Sequence, residues 1–214
     1  MKTKKKADNQ KDQSQWEYKE RTVAVYHFEI PKRTALMTAA LKGRLKMVKL
    51  LLLFQKKENI FKKNEDGETV LHYAVLGCNI EIIKFFLSKG HTIDETDNDG
   101  LSLLMTAVRN ASIMSIRDDS VEVVRFLLDN KASIDHQDER GVTALMIAVE
   151  GAFSVINDSG DTTPNLQIVK LLIEYGADVN LKNKEGETAL DKAVYLEFQT
   201  VIDYLVANGV KGKK

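Results

Sequence analysis

The residues most typical of zinc sites in the 214-residue sequence are one cysteine and four histidines. They are Cys78, His27, His72, His91 and His136. A zinc site needs such residues in closely spaced pairs, and none of the five has a partner at that spacing. Cys78 also has no base beside it in the sequence that would favour its thiolate form.

Residues 95–100, Glu-Thr-Asp-Asn-Asp-Gly, have the carboxylate pattern of the first half of a calcium loop. Such a loop needs a bidentate Glu at its twelfth position, which Thr106 occupies instead. The sequence therefore predicts no catalytic residue, no metal site and no cofactor, and we expect that the protein is not an enzyme.

The chain is organised as five similar units. Each unit starts with a hydroxyl residue and carries Leu two residues later and Ala five residues later; the starting residues are Thr34, Thr69, Ser102, Thr143 and Thr188. A hydroxyl that accepts a backbone N–H begins a helix, and Leu and Ala three residues apart form one narrow apolar face. A second apolar segment follows in every unit, for example at 82–87. Each unit is therefore predicted to be two helices and a turn, which must stack on its neighbours to bury its apolar faces.

Polar segments that end in glycine connect these units, at 93–100, 134–141 and 179–186. Their Asn, Asp and Gly content is typical of tight turns. The second helices are expected to end on a glycine in the left-handed conformation, at Gly90, Gly176 and Gly209.

The units resemble those of the ankyrin repeat family. The fourth unit carries the family's Gly-Ala-Asp-Val-Asn segment at 176–180, and His72 stands in the family's Thr-x-Leu-His place. The resemblance covers about residues 32–210 and implies an all-α fold, an ankyrin-repeat solenoid of stacked helix-turn-helix units joined by β-hairpin-like fingers. Three features depart from the family: proline is absent after all five starting hydroxyls, Cys78 replaces the usual turn glycine, and the family's His is replaced in four units, by Met37, Met105, Met146 and Asp191.

The predicted repeats span 32–64, 65–97, 98–138, 139–183 and 184–210. Their starting hydroxyls are 35, 33, 41 and 45 residues apart, so repeats three and four carry insertions between their helices, near 109–120 and 150–164. Adjacent insertions would lie side by side, either as a second binding surface or as neutral loop drift. Thr163 and Pro164 are typical of a helix start and predict where the second helix of repeat four begins.

Three further segments lie outside the repeats. We predict a disordered Lys-rich tail over 1–11, an N-terminal capping segment over 12–31 with several aromatic and aliphatic residues, and a basic tail over 211–214.

The resemblance also implies a concave binding face, made of the fingers and the exposed positions of the first helices. The corresponding residues here are Glu65, Asp66, Glu68, Asn98, Asp99, Leu101, Glu139, Arg140, Val142, Lys184, Glu185 and Glu187 on the fingers, and Tyr73, Leu76, Arg109, Ile147, Glu150 and Tyr195 on the first helices. Exposed apolar residues on such a face indicate a contact, so we expect Leu101, Val142 and Ile147 to touch a partner. The function predicted is a protein–protein interaction scaffold or adaptor whose partner has basic and apolar contact residues.

Charge is divided unevenly along the chain: residues 1–63 carry a net charge of +11 and residues 64–214 carry −11. This asymmetry leaves two alternatives open. The basic N-terminal third could bind an anion, either nucleic acid or an acidic membrane, in a strongly salt-dependent way, although no aromatic and basic platform favours nucleic acid. The basic end could also pair with the acidic body of another copy, giving weak, salt-sensitive self-association of an otherwise monomeric protein.

The sequence has no apolar segment approaching the ~20 residues that span a bilayer, and no apolar core of a secretory signal near its start. A single cysteine cannot form an internal disulfide, which suits a reducing compartment. We expect a cytoplasmic or otherwise intracellular protein, with the nucleus or delivery into a host cell left open.

Overall fold

A computed structural model describes residues 33–54, 60–113, 118–151 and 166–209. These described residues belong to one compact unit. The predicted tails, the capping segment and the helix start at Thr163 and Pro164 lie outside them.

Two helices occur in the described part of every predicted repeat. They are α1 Ala35–Leu41, α2 Leu45–Leu53, α3 Val70–Leu76, α4 Ile80–Leu87, α5 Leu103–Ile113, α6 Asp118–Asp129, α7 Ala144–Gly151, α8 Leu166–Glu174, α9 Ala189–Tyr195 and α10 Gln199–Gly209. Extended pairing within these ranges is limited to single antiparallel bridges, Thr96 with Ser102 and Gln137 with Thr143. The expected all-α class is confirmed.

The first helices of consecutive repeats pack on one another. α1 packs on α3, α3 on α5, α5 on α7 and α7 on α9, and each second helix packs on the first helix of its own repeat. The repeated Ala is buried in all five first helices, at Ala39, Ala74, Ala107, Ala148 and Ala193. Its small side chain lets neighbouring first helices approach closely, and no repeat could bury this face alone.

All five predicted hydroxyl residues cap their helices. Ser102 and Thr143, for example, accept the backbone N–H three residues later at 3.3 Å. In three repeats the side chain at that later position also accepts the N–H of the capping residue. The acceptor is Met37 Sδ at 3.5 Å, His72 Nδ1 at 3.1 Å or Asp191 Oδ2 at 2.8 Å. Chemically different side chains thus complete the same capping box.

His72 is fully buried in this role. Burial lowers the pKa of His72 to about 4, so the ring is neutral and Nδ1 can accept the N–H of Thr69. The Thr69 hydroxyl donates to Glu95 Oε2 at 2.6 Å, and Glu95 Oε1 lies 2.8 Å from Nδ1 of His91. Burial acts to raise the pKa of Glu95, but the hydrogen bonds from His91 and Thr69 lower it overall. These bonds tie the start of α3 to the turn before the next repeat.

Left-handed residues end several helices. Nine residues after the starting hydroxyl, Gly43, Cys78 and Glu197 have φ of 66°, 54° and 58°. Gly90 and Gly176 are left-handed after the second helices, as expected. The expectation for Gly209 is wrong, because α10 continues through this residue in ordinary helical geometry.

The insertion in repeat three lengthens both of its helices. α5 continues to Ile113 and α6 already begins at Asp118, so much of 109–120 is helical. The added turn of α5 meets the end of α7, where a Cβ on Gly151 would lie 2.3 Å from Cβ of Ser112. The insertion in repeat four is predicted near 150–164, and its residues 152–164 lie outside the described residues.

We predict that Glu197→Gly stabilises the protein by about 1 kcal/mol, because glycine adopts the left-handed conformation without the steric cost borne by other residues. Urea unfolding followed by circular dichroism measures the change. Ala207→Gly, within the regular part of α10, is the matched control and should lose a similar amount. Destabilisation by both substitutions would contradict the account.

We predict that His72→Met removes much of the acid sensitivity of folding. The folded-state pKa of about 4 lies below the usual 6.5, so the unfolded chain binds the proton more readily. The stability that this group contributes is complete above pH 6.5 and is lost as the pH falls toward 4, by about 2 kcal/mol between pH 7 and pH 5. Methionine already fills the corresponding place in repeats one, three and four, at Met37, Met105 and Met146. Urea unfolding measured across this pH range should show that the free energy of unfolding changes less with pH in the variant than in the wild type. An equal pH dependence in the two proteins would refute the assignment of this acid sensitivity to His72.

Candidate functional site

The part of the chain that the structure describes contains four fingers, hairpins of the same construction at 64–68, 97–101, 138–142 and 183–187. In each, the N–H of the first residue donates to the carbonyl of the fifth, over 2.9–3.1 Å. Oδ1 of the first residue, an Asn or Asp, accepts the N–H groups of the third and fifth residues. The fourth residue is a glycine with φ of 77° to 84°. A short polar side chain and one glycine therefore specify each turn.

One backbone hydrogen bond joins each finger to the next. Asn98 N donates to Asp66 O at 2.8 Å, Glu139 N to Asp99 O at 3.0 Å, and Lys184 N to Arg140 O at 2.9 Å. The donor is always the second residue of a hairpin and the acceptor is the third residue of the preceding one. Because every hairpin is fastened in the same way, their tips are held in a fixed order along one edge.

The fifth hairpin residue is matched to the first. Where the hairpin starts with Asn, the fifth residue is Glu, and the Asn amide donates to it: Asn64 to Glu68 at 2.9 Å and Asn183 to Glu187 at 3.0 Å. Where the hairpin starts with Asp, at Asp97 and Asp138, the fifth residue is apolar. An Asp facing a Glu would place two carboxylates together, and this chain avoids that combination.

The two finger glutamates also bind the first helix of their own repeat. Tyr73, four residues after its starting hydroxyl, donates to Glu68 Oε2 at 2.7 Å. Burial raises the pKa of Tyr73, and the hydrogen bond to this carboxylate raises it further. Lys192 stands at the same place in repeat five, with Nζ 3.4 Å from Glu187 and 2.6 Å from Glu150 of α7.

The charges around Lys192 stabilise one another. Burial acts to lower the pKa of Lys192, but the carboxylates of Glu150 and Glu187 raise it overall. The pKa of Glu187 is lowered, chiefly by the hydrogen bond that the amide of Asn183 donates to it. This cluster joins repeats four and five, because its members come from α7, α9 and the last hairpin.

The predicted site residues differ in exposure. Exposed are Glu65, Asp66, Asn98, Asp99, Glu139, Arg140, Lys184, Glu185 and Tyr195; half-buried are Glu68, Leu76, Arg109, Glu150 and Glu187; buried are Tyr73, Leu101, Val142 and Ile147. The three hydrogen bonds between consecutive fingers, called the backbone ladder from here on, therefore hold eight of the exposed residues in one row, two from each hairpin. Tyr195 lies apart from them on α9.

The expectation that Leu101, Val142 and Ile147 are exposed partner contacts is wrong. They are 5%, 5% and 8% exposed, and Tyr73, also expected at the surface, is 2% exposed. These residues occupy the fifth hairpin position or the fourth place after the starting hydroxyl. In repeats two and five the same two places hold the hydrogen-bonded pairs Tyr73–Glu68 and Lys192–Glu187. Repeats three and four fill them without charged groups, so apolar residues there belong to the core.

The exposed hairpin tips carry a net negative charge. The second and third hairpin residues include five acids and two bases. The acids are Glu65, Asp66, Asp99, Glu139 and Glu185, and the bases are Arg140 and Lys184. The Arg140 guanidinium lies 3.1 Å from Asp138, which partly compensates its charge. The net negative charge of these tips attracts cationic groups.

The described ranges were also compared with the requirements for metal binding, membrane spanning and anion binding. No group of three His, Cys, Asp or Glu residues comes together there in a way that could hold a metal ion. None of the helices found in those ranges is long and apolar enough to cross a membrane. Seven of the basic residues predicted for anion binding are described, namely Arg33, Lys42, Arg44, Lys46, Lys49, Lys62 and Lys63; the others lie outside.

Sequence reasoning missed the hairpin pairing and the role of Lys192. A usable signal was present, because Asn and Glu are four residues apart at 64 and 68 and again at 183 and 187. Lys192 gave no comparable signal, since its partner Glu150 is 42 residues away and the two meet only when α7 and α9 stack.

Comparison with known protein families agrees with this geometry. A family profile described as ankyrin repeats in three copies matches residues 20–97, 36–115 and 79–158. A second profile, described as ankyrin repeats in many copies, matches residues 162–206. Together these matches cover well over half of the chain.

Several curated proteins share parts of the sequence. Alpha-latrotoxin-Lt1a of Latrodectus tredecimguttatus is 42% identical over 50 residues, which are 23% of this chain and 4% of the toxin. Ankyrin repeat-containing protein ITN1 of Arabidopsis thaliana is 41% identical over 63 residues, 29% of this chain and 11% of that protein. The Notch-regulated ankyrin repeat-containing protein of Xenopus tropicalis is 45% identical over 42 residues, 20% of this chain and 37% of that protein. The chain thus spans only a minor part of each of these relatives.

We predict that Asn64→Asp destabilises the protein by roughly 1–3 kcal/mol at neutral pH, because it removes the amide donor and sets a second carboxylate against Glu68. The loss should shrink in acid, where one carboxyl group is protonated. The same substitution made in a Glu68→Leu, Tyr73→Phe background should cost much less, because that background has neither the facing carboxylate nor the Tyr73 hydroxyl that donates to it. Urea unfolding of the two backgrounds with and without Asn64→Asp, with Asp97→Asn as control, gives the coupling. An equal loss in the two backgrounds would contradict the pairing.

Proposed function

We propose, since the chain belongs to the ankyrin repeat family, that it is a non-enzymatic scaffold or adaptor that binds another protein along its finger edge. The finger edge is the set of exposed hairpin tips, residues 65–66, 98–99, 139–140 and 184–185. Ankyrin repeats generally mediate protein–protein interaction, and proteins built from them are generally non-enzymatic scaffolds. The observation that carries the proposal is the backbone ladder, which presents these eight exposed residues in a fixed order.

The charge of the finger edge indicates the chemistry of the partner. Its acids favour a partner segment rich in Lys or Arg, and the bases at 140 and 184 limit where along the edge such a segment fits. Acids at the rim of an interface raise the association rate and make it salt-dependent more than they raise affinity.

The single cysteine bears on the compartment in which the protein works. Because one cysteine cannot form an internal disulfide, the chain suits a reducing compartment. We therefore propose that the protein functions inside the cell.

We predict that reversing three tip charges, Asp66→Lys with Asp99→Lys and Glu139→Lys, abolishes capture of the partner. The three side chains are exposed, so the fold should be retained, and circular dichroism verifies this. Affinity capture from a cell lysate with quantitative mass spectrometry should show the partner reduced at least tenfold for the variant, since each lost or reversed contact at the interface weakens binding.

The matched control makes the same change in net charge on the second helices, with Glu122→Lys, Glu174→Lys and Asp203→Lys. These three positions are exposed and lie away from the hairpins, so this variant should retain the partner. If both variants lose the same proteins, net charge rather than the finger edge governs binding. If neither variant loses any, the finger edge is not the binding surface.

A further inference from the structure

The second helix of repeat one ends in two exposed apolar side chains. Leu53 is 78% exposed and Phe54 is 82% exposed. The corresponding pairs in repeats two, three and four are Ser88 with Lys89, Asp129 with Asn130, and Glu174 with Tyr175. Since each of those pairs carries polar or charged groups at the same place, the fold itself does not require an apolar pair. Adjacent exposed apolar side chains at one such position mark a contact surface.

A groove adjoins this pair, between α2 and α4. It encloses about 580 Å³, and its apolar walls include Leu52, Leu53, Phe61 and Phe85. The Phe61 ring is held against the buried His91 ring, with 4.6 Å between centroids, so this wall is fixed by the packing of repeat two. The volume is in the range of sites that receive a few side chains of a partner.

Two lysines line the groove, Lys49 and Lys89. The ammonium groups of Lys49 and Lys89 lie 5.8 and 5.5 Å from the centre of the Phe85 ring, which keeps both cations at the groove mouth. The second helices of repeats one and two, with their flanking residues 44–54 and 79–90, carry five bases and one acid: Arg44, Lys46, Lys49, Lys84, Lys89 and Glu81. The finger edge has the opposite sign, so the two surfaces attract different partners.

We propose that this groove is a second protein-binding site, which takes an acidic amphipathic helix of a partner protein. Apolar side chains on one face of such a helix would enter the groove beside Leu53 and Phe54. Its carboxylates would meet Lys49 and Lys89 at the mouth. The concave walls favour a helix with separate anchoring side chains over a flat lipid surface. The site works independently of the finger edge.

The test begins by selecting peptides from a phage-displayed library of random 16-residue sequences on the full-length chain. Counter-selection uses Leu53→Ser with Phe54→Asn, which takes residues found at the same places in repeats two and three and leaves the charge unchanged. We expect enriched sequences that combine Asp and Glu with Leu or Phe at helical spacing. Enriched sequences that are basic, or an absence of any that distinguish the two proteins, overturn the proposal.

Fluorescence anisotropy then measures an enriched, labelled peptide on purified variants. The Leu53→Ser, Phe54→Asn variant and a Lys49→Glu, Lys89→Glu variant should each bind at least tenfold more weakly than the wild type. Lys131→Glu with Lys182→Glu makes the same charge change away from the groove and should bind within about twofold, because long-range charge effects are screened. Equal weakening by both charge variants overturns the proposal, since general charge attraction then explains the binding.

Two other occupants give distinct results. Phosphatidylserine vesicles that bind the wild type but not the Leu53→Ser, Phe54→Asn variant, when no selected peptide distinguishes the two proteins, would assign the groove to a membrane and overturn the proposal. Concentration-dependent dimerisation in analytical ultracentrifugation that this variant abolishes, again when no selected peptide distinguishes the two proteins, would assign the groove to a second copy of the chain and would also overturn the proposal. The variant with reversed tip charges, which tests the finger edge, should bind the peptide like the wild type.

Discussion

The architecture depends on one repeated backbone hydrogen bond, from the second residue of each hairpin to the third residue of the hairpin before it. Stacking of the first helices brings consecutive hairpins close enough for this bond, and an Asn or Asp side chain at each hairpin base holds the tip in the conformation that makes it. The bond uses only backbone atoms, so it leaves the side chains at the tips free to vary. Stability and recognition are therefore carried by different atoms of the same residues.

Two positions of each repeat from two to five, the fifth hairpin residue and the fourth residue after the starting hydroxyl, are filled in two chemically distinct ways. Repeats two and five use hydrogen-bonded glutamates, Glu68 with Tyr73 and Glu187 with Lys192, whereas repeats three and four use buried apolar residues. Each choice agrees with the residue at the hairpin base, because an Asn donates to a carboxylate and an Asp does not. The acids at the tips and the lysines at the α2–α4 groove give the chain two surfaces of opposite charge.

Much of the fold could be predicted from sequence because it depends on local patterns. Starting hydroxyls such as Thr69 cap their own helices, and glycines such as Gly100 form their own turns, so nearby residues suffice. Exposure could not be predicted in this way, because the burial of Leu101 and Val142 depends on how the folded chain packs around them rather than on the residues next to them in the sequence. The Leu53–Phe54 pair is visible only when the repeats are aligned position by position, and the Lys192–Glu150 contact depends on which helices stack.

Native-state hydrogen exchange measured by NMR tests most directly whether the ladder holds the finger edge in place. The amides of Asn98, Glu139 and Lys184 are the three donors of the ladder, although all three residues have exposed side chains in tight turns. If the ladder fastens the hairpins, these amides exchange as slowly as amides within the buried first helices, because they open only when stacked repeats separate. Exchange as fast as that of unbonded loop amides would show that the hairpins move independently, and the account of a fixed recognition edge would then be wrong.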